Sequence, residues 1–271
     1  MMRATGWLRP SVQHLTRLRM AGLSASSWLQ GVPDVGSADV SSLVQIVDQG
    51  QLGSCVANAV GQVIRAEQLR RGAPENYPFP SRLWIYGLAL AADGHFGQDT
   101  GTHICTAIDN AAQHGFPPET TWPYDVMVFG DKPPLGAYHA AIDQVAVESV
   151  AYHQITESGQ QRLDVIQQAL VAGHLVAFGT QVTSEFCSTS PAPGTVIKRP
   201  TGATAGGHAM CWCGFETDPT TLRLRLRSVN SWGTGWGDRG FFWMDADYAT
   251  WDETDDLWIV SQAPMYSEVQ P

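Results

Sequence analysis

A chain of 271 residues is long enough for one two-lobed domain or two small ones, and 44% hydrophobic with 15% charged residues describe an ordinary buried core. The formal charge of -10 excludes a role built on broad contact with phosphates or anionic lipids, because such binding draws on clustered Lys and Arg. Five cysteines, at 55, 105, 187, 211 and 213, are an odd number in a chain too large to need disulfide staples, so at least one thiol is expected free in a reducing compartment.

Residues 1–40 are rich in Ser, Gly and Arg without a sustained period, and read as a leader either packed on the domain or loose from it. Their basic cluster, Arg3, Arg9, Arg17 and Arg19, alternates with apolar residues. Arg9, Pro10, Gln13, His14 and Arg17 interrupt the apolar stretch that a secretory signal needs. No later segment has the unbroken apolar length of a membrane span, which predicts a soluble, cytoplasmic or otherwise reduced protein.

From residue 41 onward the chain reads as a single domain. After the turn-rich Asp48 to Gly53, apolar residues at helical spacing predict a helix over 54–71, stopped by Gly72. Ser54 is of N-cap type, which places Cys55 in the first turn, near unpaired amides and the positive end of the helix dipole. Further helices are expected over 81–92, 102–114 and 160–172. Strand-like runs follow over 175–181, 209–215, 222–229, 240–244 and 257–261, and 222–227 alternates strictly between Leu and Arg. A helical lobe over about 41–150 followed by a β-rich lobe over about 151–271 is an α+β arrangement, with a cleft between lobes as the natural place for a site. Cys211 and Cys213, inside an apolar strand without a second ligand pair, read as inert core thiols rather than zinc ligands.

A thiol attacks as thiolate, and a helix N-terminus beside an imidazolium favours that form. Cys55 meets the first condition. A histidine for the second is offered by Gly206-Gly207-His208, where the glycines permit close approach of backbone or substrate. Asn230, leaving the Leu/Arg strand, can accept the histidine N–H and fix the ring, while Trp232 shields that bond from water. Gln49 can donate its amide to a developing oxyanion together with the Cys55 N–H.

Gln49-Gly50-x-x-Gly53-Ser54-Cys55, then Gly207-His208-Ala209, then Asn230-Ser231-Trp232-Gly233-x-Gly235-Trp236-Gly237 resemble the papain-family cysteine peptidases from about Val47 to Met244. The resemblance implies a papain-like two-lobed fold with a helical N-terminal lobe and an antiparallel, β-barrel-like C-terminal lobe. It implies Cys55 as nucleophile, His208 as general base and acid, Asn230 as orienter, Gln49 as oxyanion donor and Trp232 as cover. Gly101 and Thr102 lie where the family binds substrate backbone, with only Gly101 matching. A pocket near Phe178 and Gly207 implies a preference for an apolar side chain two positions before the cut.

Two positions depart from the family pattern. Leu52 stands where a cysteine is usual, which removes a nearby disulfide, and Val56 stands where an aromatic is usual. This variant resembles prokaryotic and phage-type members more than secreted ones. The expected activity is endopeptidase cleavage of protein or peptide substrates through a thioester, with no cofactor, metal or nucleic-acid partner. An amidase, a transpeptidase, a cell-wall-crosslink hydrolase or a catalytically silent binding module would use the same fold. The remaining histidines are scattered without metal-site spacing. The leader lacks the family's long charged helical pro-segment, and its first 35 residues or so are expected to lie along the cleft and restrict access.

Overall fold

The computed structural model describes residues 2–16, 24–33 and 35–266. The expected leader therefore includes positions outside the described residues, among them Arg17 and Arg19.

Eight helices occur among the described residues: α1 (Val12–Thr16), α2 (Ala25–Trp28), α3 (Cys55–Arg70), α4 (Arg82–Ala92), α5 (Ile104–His114), α6 (Leu135–Val147), α7 (Gly159–Val171) and α8 (Ser184–Ser188). The strands are β1 (Ala38–Asp39), β2 (Ala151–Ile155), β3 (Val176–Val182), β4 (Val196–Ile197), β5 (Gly206–Thr217), β6 (Leu224–Val229), β7 (Phe241–Asp245) and β8 (Thr254–Gln262). They form one mixed sheet in the order β2-β8-β3-β5-β6-β7-β4, with β1 added alongside β5. Its pairings are antiparallel except β4 with β7. The sheet does not close on itself, so the β-rich lobe is an open, bent sheet rather than a closed barrel.

Two cores sit on opposite faces of this sheet. The first gathers α3, α4 and α5 with Cys211, Cys213 and Trp258, and the second gathers α7 with Phe178, Trp212, Trp236 and Leu257. Strand β5 serves both, because alternate side chains leave opposite faces. Helix α3 is buried along nearly its whole length, so its start is held firmly against the sheet. Gly115 ends α5 with φ 69°, and a Cβ there would lie 2.3 Å from the Ala141 carbonyl. Helix α6 and the strands β1, β2 and β4 were not legible in the sequence; α6 keeps an exposed apolar side, with Leu135, Ile142 and Val147 outward, which blurs its period.

The described parts of the leader pack on the domain. β1 pairs with β5, Ala25 and Leu29 enter the second core, and residues 3–9 cross between the two lobes.

Candidate active site

Cys55 is the first residue of α3, and His208 and Asn230 stand at the ends of the neighbouring strands β5 and β6. His208 Nε2 donates to Asn230 Oδ1 at 2.8 Å. An amide oxygen can only accept, so this bond leaves Nδ1 with the lone pair that a base needs, and Nδ1 has no hydrogen-bond partner among the described residues. The Trp232 ring stacks on His208 with centroids 4.6 Å apart, and Phe186 and Trp236 complete an aromatic wall behind it. The Ala209 N–H, next to the histidine, points at the Cys55 sulfur at 3.4 Å.

The loop before Cys55 is fixed from several directions. Gln49 N–H donates to the Ser231 carbonyl at 2.8 Å and Gly233 N–H to the Val47 carbonyl at 3.0 Å, stitching the loop to the Asn230 turn. Ser231 Oγ donates to Gln49 Oε1, orienting the amide so that Nε2 faces Leu52 and the cleft. Tyr124 donates its hydroxyl to the Gln49 carbonyl at 2.8 Å and meets Ser54 Oγ at 2.6 Å. The Arg82 guanidinium lies 3.9 Å from the Tyr124 ring centroid and is paired with Glu119. Asp99 accepts the Gly53 N–H at 2.9 Å and the Tyr86 hydroxyl at 2.6 Å, and Tyr86 in turn accepts the Gly101 N–H at 3.1 Å. Arg82, Tyr86, Asp99 and Tyr124 were not singled out from the sequence, since each lies in a segment without a motif and acts only through tertiary contact.

Ser54 occupies the N-cap position, but its hydroxyl is engaged by Tyr124 and makes no cap bond. Burial, not the helix terminus, dominates the thiol. The Cys55 pKa is pushed up to about 11 by desolvation, eased by N–H groups of Ala209, Gly6, Val56 and Trp7. Burial likewise lowers His208 to about 4, partly opposed by the Asn230 bond. Both groups are 0% exposed, so in this state the pair is a neutral thiol beside a neutral imidazole.

The cover is the N-terminal segment itself. Gly6 and Trp7 N–H both donate to the Gly207 carbonyl, at 3.2 and 3.0 Å. On the other wall Leu8 N–H donates to the Thr102 carbonyl and Thr102 N–H to the Gly6 carbonyl, both at 2.9 Å, a parallel pairing. The segment thus brings the Gly6 and Trp7 N–H groups toward the sulfur. Gln49 Nε2 donates a hydrogen bond to the Ala4 carbonyl at 3.3 Å. Arg3 reaches over Trp232, its guanidinium carbon 5.5 Å from the ring centroid.

Glycine makes this approach possible. A Cβ on Gly6 would stand 1.8 Å from the Gly53 carbonyl oxygen, and one on Gly101, which has φ 76°, would stand 2.2 Å from the Gly6 oxygen. Trp7 lies on Gly179, where a Cβ would come within 2.0 Å of its ring, and its Nε1 donates to Asp256 Oδ2 at 3.2 Å. Asp256 is fully buried and also receives Ile104 N–H, Cys105 N–H and Trp258 Nε1.

Of the residues singled out in the sequence, Cys55, His208, Asn230, Gln49 and Trp232 converge at one place, and Gly101, Thr102 and Gly207 line the segment that crosses it. Phe178 needs correction. It points away from the cleft and stacks on Trp212 at 3.7 Å in the second core; Gly179, one residue on and so on the opposite strand face, meets Trp7 instead. The pocket filled by Trp7 ends on a carboxylate and is not simply apolar. All five cysteines are free and buried.

Residues 34–255 match the sequence profile of the papain family cysteine proteases. An uncharacterized peptidase C1-like protein of Acanthamoeba polyphaga mimivirus is 32% identical over 235 residues, spanning 83% of this chain and 73% of that protein. Among solved structures, Xylellain, a cysteine protease from Xylella fastidiosa, superposes with a TM-score of 0.75 at 24% identity, over 97% of this chain and 98% of that one. The digestive procathepsin L 3 of Tenebrio molitor larval midgut gives 0.69 at 19% identity, over 96% of this chain and 76% of that one. The chain belongs to the papain family of cysteine proteases. It is a cysteine peptidase, a hydrolase of peptide bonds.

Proposed function

We propose that this peptidase is latent as folded here, with Cys55 as nucleophile and residues 3–9 as the inhibitory segment. In the open enzyme His208 Nδ1 takes the Cys55 proton as sulfur attacks a substrate carbonyl, and the resulting imidazolium is held by Asn230. The oxyanion accepts hydrogen bonds from Gln49 Nε2–H and the Cys55 N–H. His208 then gives its proton to the leaving amine, and water, deprotonated by the same nitrogen, hydrolyses the thioester to release the acid and restore the thiol.

The observation that carries latency is the hydrogen bonding of Gly6, Trp7 and Leu8 to Gly207 and Thr102 above a sulfur with no solvent exposure. A strand held by both walls excludes substrate, and its N–H groups offer the thiol nothing to attack. Free, buried thiols and a leucine at position 52 accord with a reducing compartment, and no helix of the described residues is long and apolar enough to cross a membrane.

Gly6→Ala tests this directly, because Gly6 lies outside the peptidase lobes and its substitution cannot be accommodated against Gly53. Hydrolysis of a fluorogenic peptide by the full-length variant is expected to exceed the parent by about tenfold or more, the effect of about 1.4 kcal/mol of lost docking. Equal rates would remove the latency reading. Loss of hydrolysis in the double variant Gly6→Ala, Cys55→Ala assigns the activity to the thiol.

A further inference from the structure

We propose that His14, Asp93 and His103 form a binding site for a divalent transition-metal ion of the zinc class, which clamps the N-terminal segment onto the peptidase lobes. His14 lies in α1, just beyond the residues that cross the cleft. Asp93 follows α4 and His103 precedes α5. One ligand atom from each lies within 4.8 Å of the others. Two imidazoles and a carboxylate are the donor set that suits zinc and its neighbours. A tetrahedral ion with bonds of about 2.0–2.1 Å draws its ligand atoms to about 3.3 Å of one another, so closure moves each by less than about an ångström.

Each ligand is oriented by a second contact. His103 Nδ1 stands 2.8 Å from the Leu8 carbonyl; a carbonyl only accepts, so Nδ1 carries the proton and Nε2 keeps the lone pair for an ion. Asp93 Oδ2 accepts from the Thr102 hydroxyl at 3.2 Å, while Oδ1 lies 3.9 Å from His14 Nε2. His14 Nδ1 is 2.8 Å from Ser11 Oγ, a hydroxyl that can accept its N–H when Nε2 turns to the ion. Ser11 N–H also points at that nitrogen at 3.1 Å, and ion binding exchanges this bond for the one to Oγ. The His14 and His103 rings are 4.0 Å apart between centroids. The His14 and Asp93 side chains are 26% and 14% exposed, so an ion can reach them from solvent.

The clamp follows from where these partners lie. Leu8 and Ser11 belong to the N-terminal segment, and Thr102 is the residue whose backbone pairs with it. The complete donor set exists only while the segment is docked. An ion at one hundred times its dissociation constant therefore raises the ratio of docked to undocked chains by about a hundredfold. This rests on the latency reading, and the experiment separates the two.

Full-length Cys55→Ala protein, which lacks the reactive thiol as a competing ligand, is titrated with zinc chloride by calorimetry. One ion per chain is expected, with affinity reduced tenfold or more by His14→Ala and by Asp93→Asn, the latter keeping the side-chain shape and the Thr102 bond. Absence of a one-to-one site, or unchanged affinity in both variants, overturns the ion site. Trypsin cleavage after Arg3, whose N–H is held by the Cys187 carbonyl, reads docking: zinc should slow it in the parent and not in either variant. Binding through these residues without slower cleavage overturns the clamp. Rapid cleavage in the parent with and without zinc overturns latency itself, whereas slow cleavage indifferent to zinc overturns only the clamp.

Discussion

At Cys55 two influences oppose each other, and burial wins. A thiol at the start of a sixteen-residue helix gains from its unpaired amides, yet with the segment docked its pKa is about 11. Because the raised value leaves the neutral thiol dominant at every lower pH, alkylation of the full-length parent by iodoacetamide should be slow at pH 7 and climb toward pH 11. In Gly6→Ala, where water returns to the cleft, labelling at neutral pH should be faster by at least tenfold; mass spectrometry of the Cys55 peptide reads both. Asp256 makes a second residue-scale case. It has φ 58°, a left-handed conformation that Asp tolerates better than most residues, and it holds the indole of Trp7 through one of its four donors. Once Trp7 leaves, the pocket offers a buried carboxylate lacking one donor. Peptide-library cleavage by Gly6→Ala should favour Trp or Arg over Leu in that pocket, and Asp256→Asn should reduce the preference for Arg about tenfold. An unchanged profile would remove Asp256 from specificity.

Among the elements, the loop before α3 carries Gln49, the proposed oxyanion donor, but does not hold itself. It leans on Tyr124, which bonds both the Gln49 carbonyl and the Ser54 hydroxyl and is backed by Arg82. Tyr124→Phe removes those bonds while keeping the ring over the guanidinium. In a Gly6→Ala background it should lower kcat roughly tenfold with KM little changed, the value of about one net hydrogen bond spent on positioning. A rise in KM at constant kcat would instead place Tyr124 in substrate binding. The same comparison explains what was legible locally. Helices α3, α4, α5 and α7 were legible in the sequence, α3, α5 and α7 with Gly stops at 72, 115 and 173, because each buries one or more faces against a core. Strands β1, β2 and β4 gave little signal, since two of them have only two residues and the third depends on pairing with β8.

Over the whole molecule, docking of the segment is coupled to acid. Burial holds His208 at about 4, below its ordinary 6.5, and the docked segment, bonded to Gly207 beside it, is part of what buries it. Between those values the unfolded or uncovered protein binds more protons than the closed one, so the closed state's stability is fully present above about pH 6.5 and is lost as pH falls toward 4. The full shift is worth on the order of 3 kcal/mol, of which docking supplies only the share not already due to the Trp232 and Phe186 rings. Preincubation of the full-length parent at pH 4.5, followed by assay at pH 6.5, should give a transient of peptide hydrolysis absent from protein kept at pH 7.5. Failure of acid to release activity, with Gly6→Ala active in the same assay, would separate His208 desolvation from latency.

The sequence by itself determined the chemistry. A cysteine at a helix start, a histidine behind two glycines and an asparagine ending a strand are local patterns, and each is written in contiguous residues. Only the tertiary structure decided what surrounds them. The leader carries no period that announces a strand, because residues 3–9 obtain their conformation from hydrogen bonds to Thr102 and Gly207 rather than from their own spacing. The same dependence hid the Tyr124 and Asp99 supports, the carboxylate at the end of the Trp7 pocket, and the meeting of His14 with His103. These are contacts between segments far apart in the chain, and propensity and periodicity register only neighbours. The helix-start thiol foreseen from Ser54-Cys55 is therefore present, while its protonation state is set by residues that no local pattern connects to it.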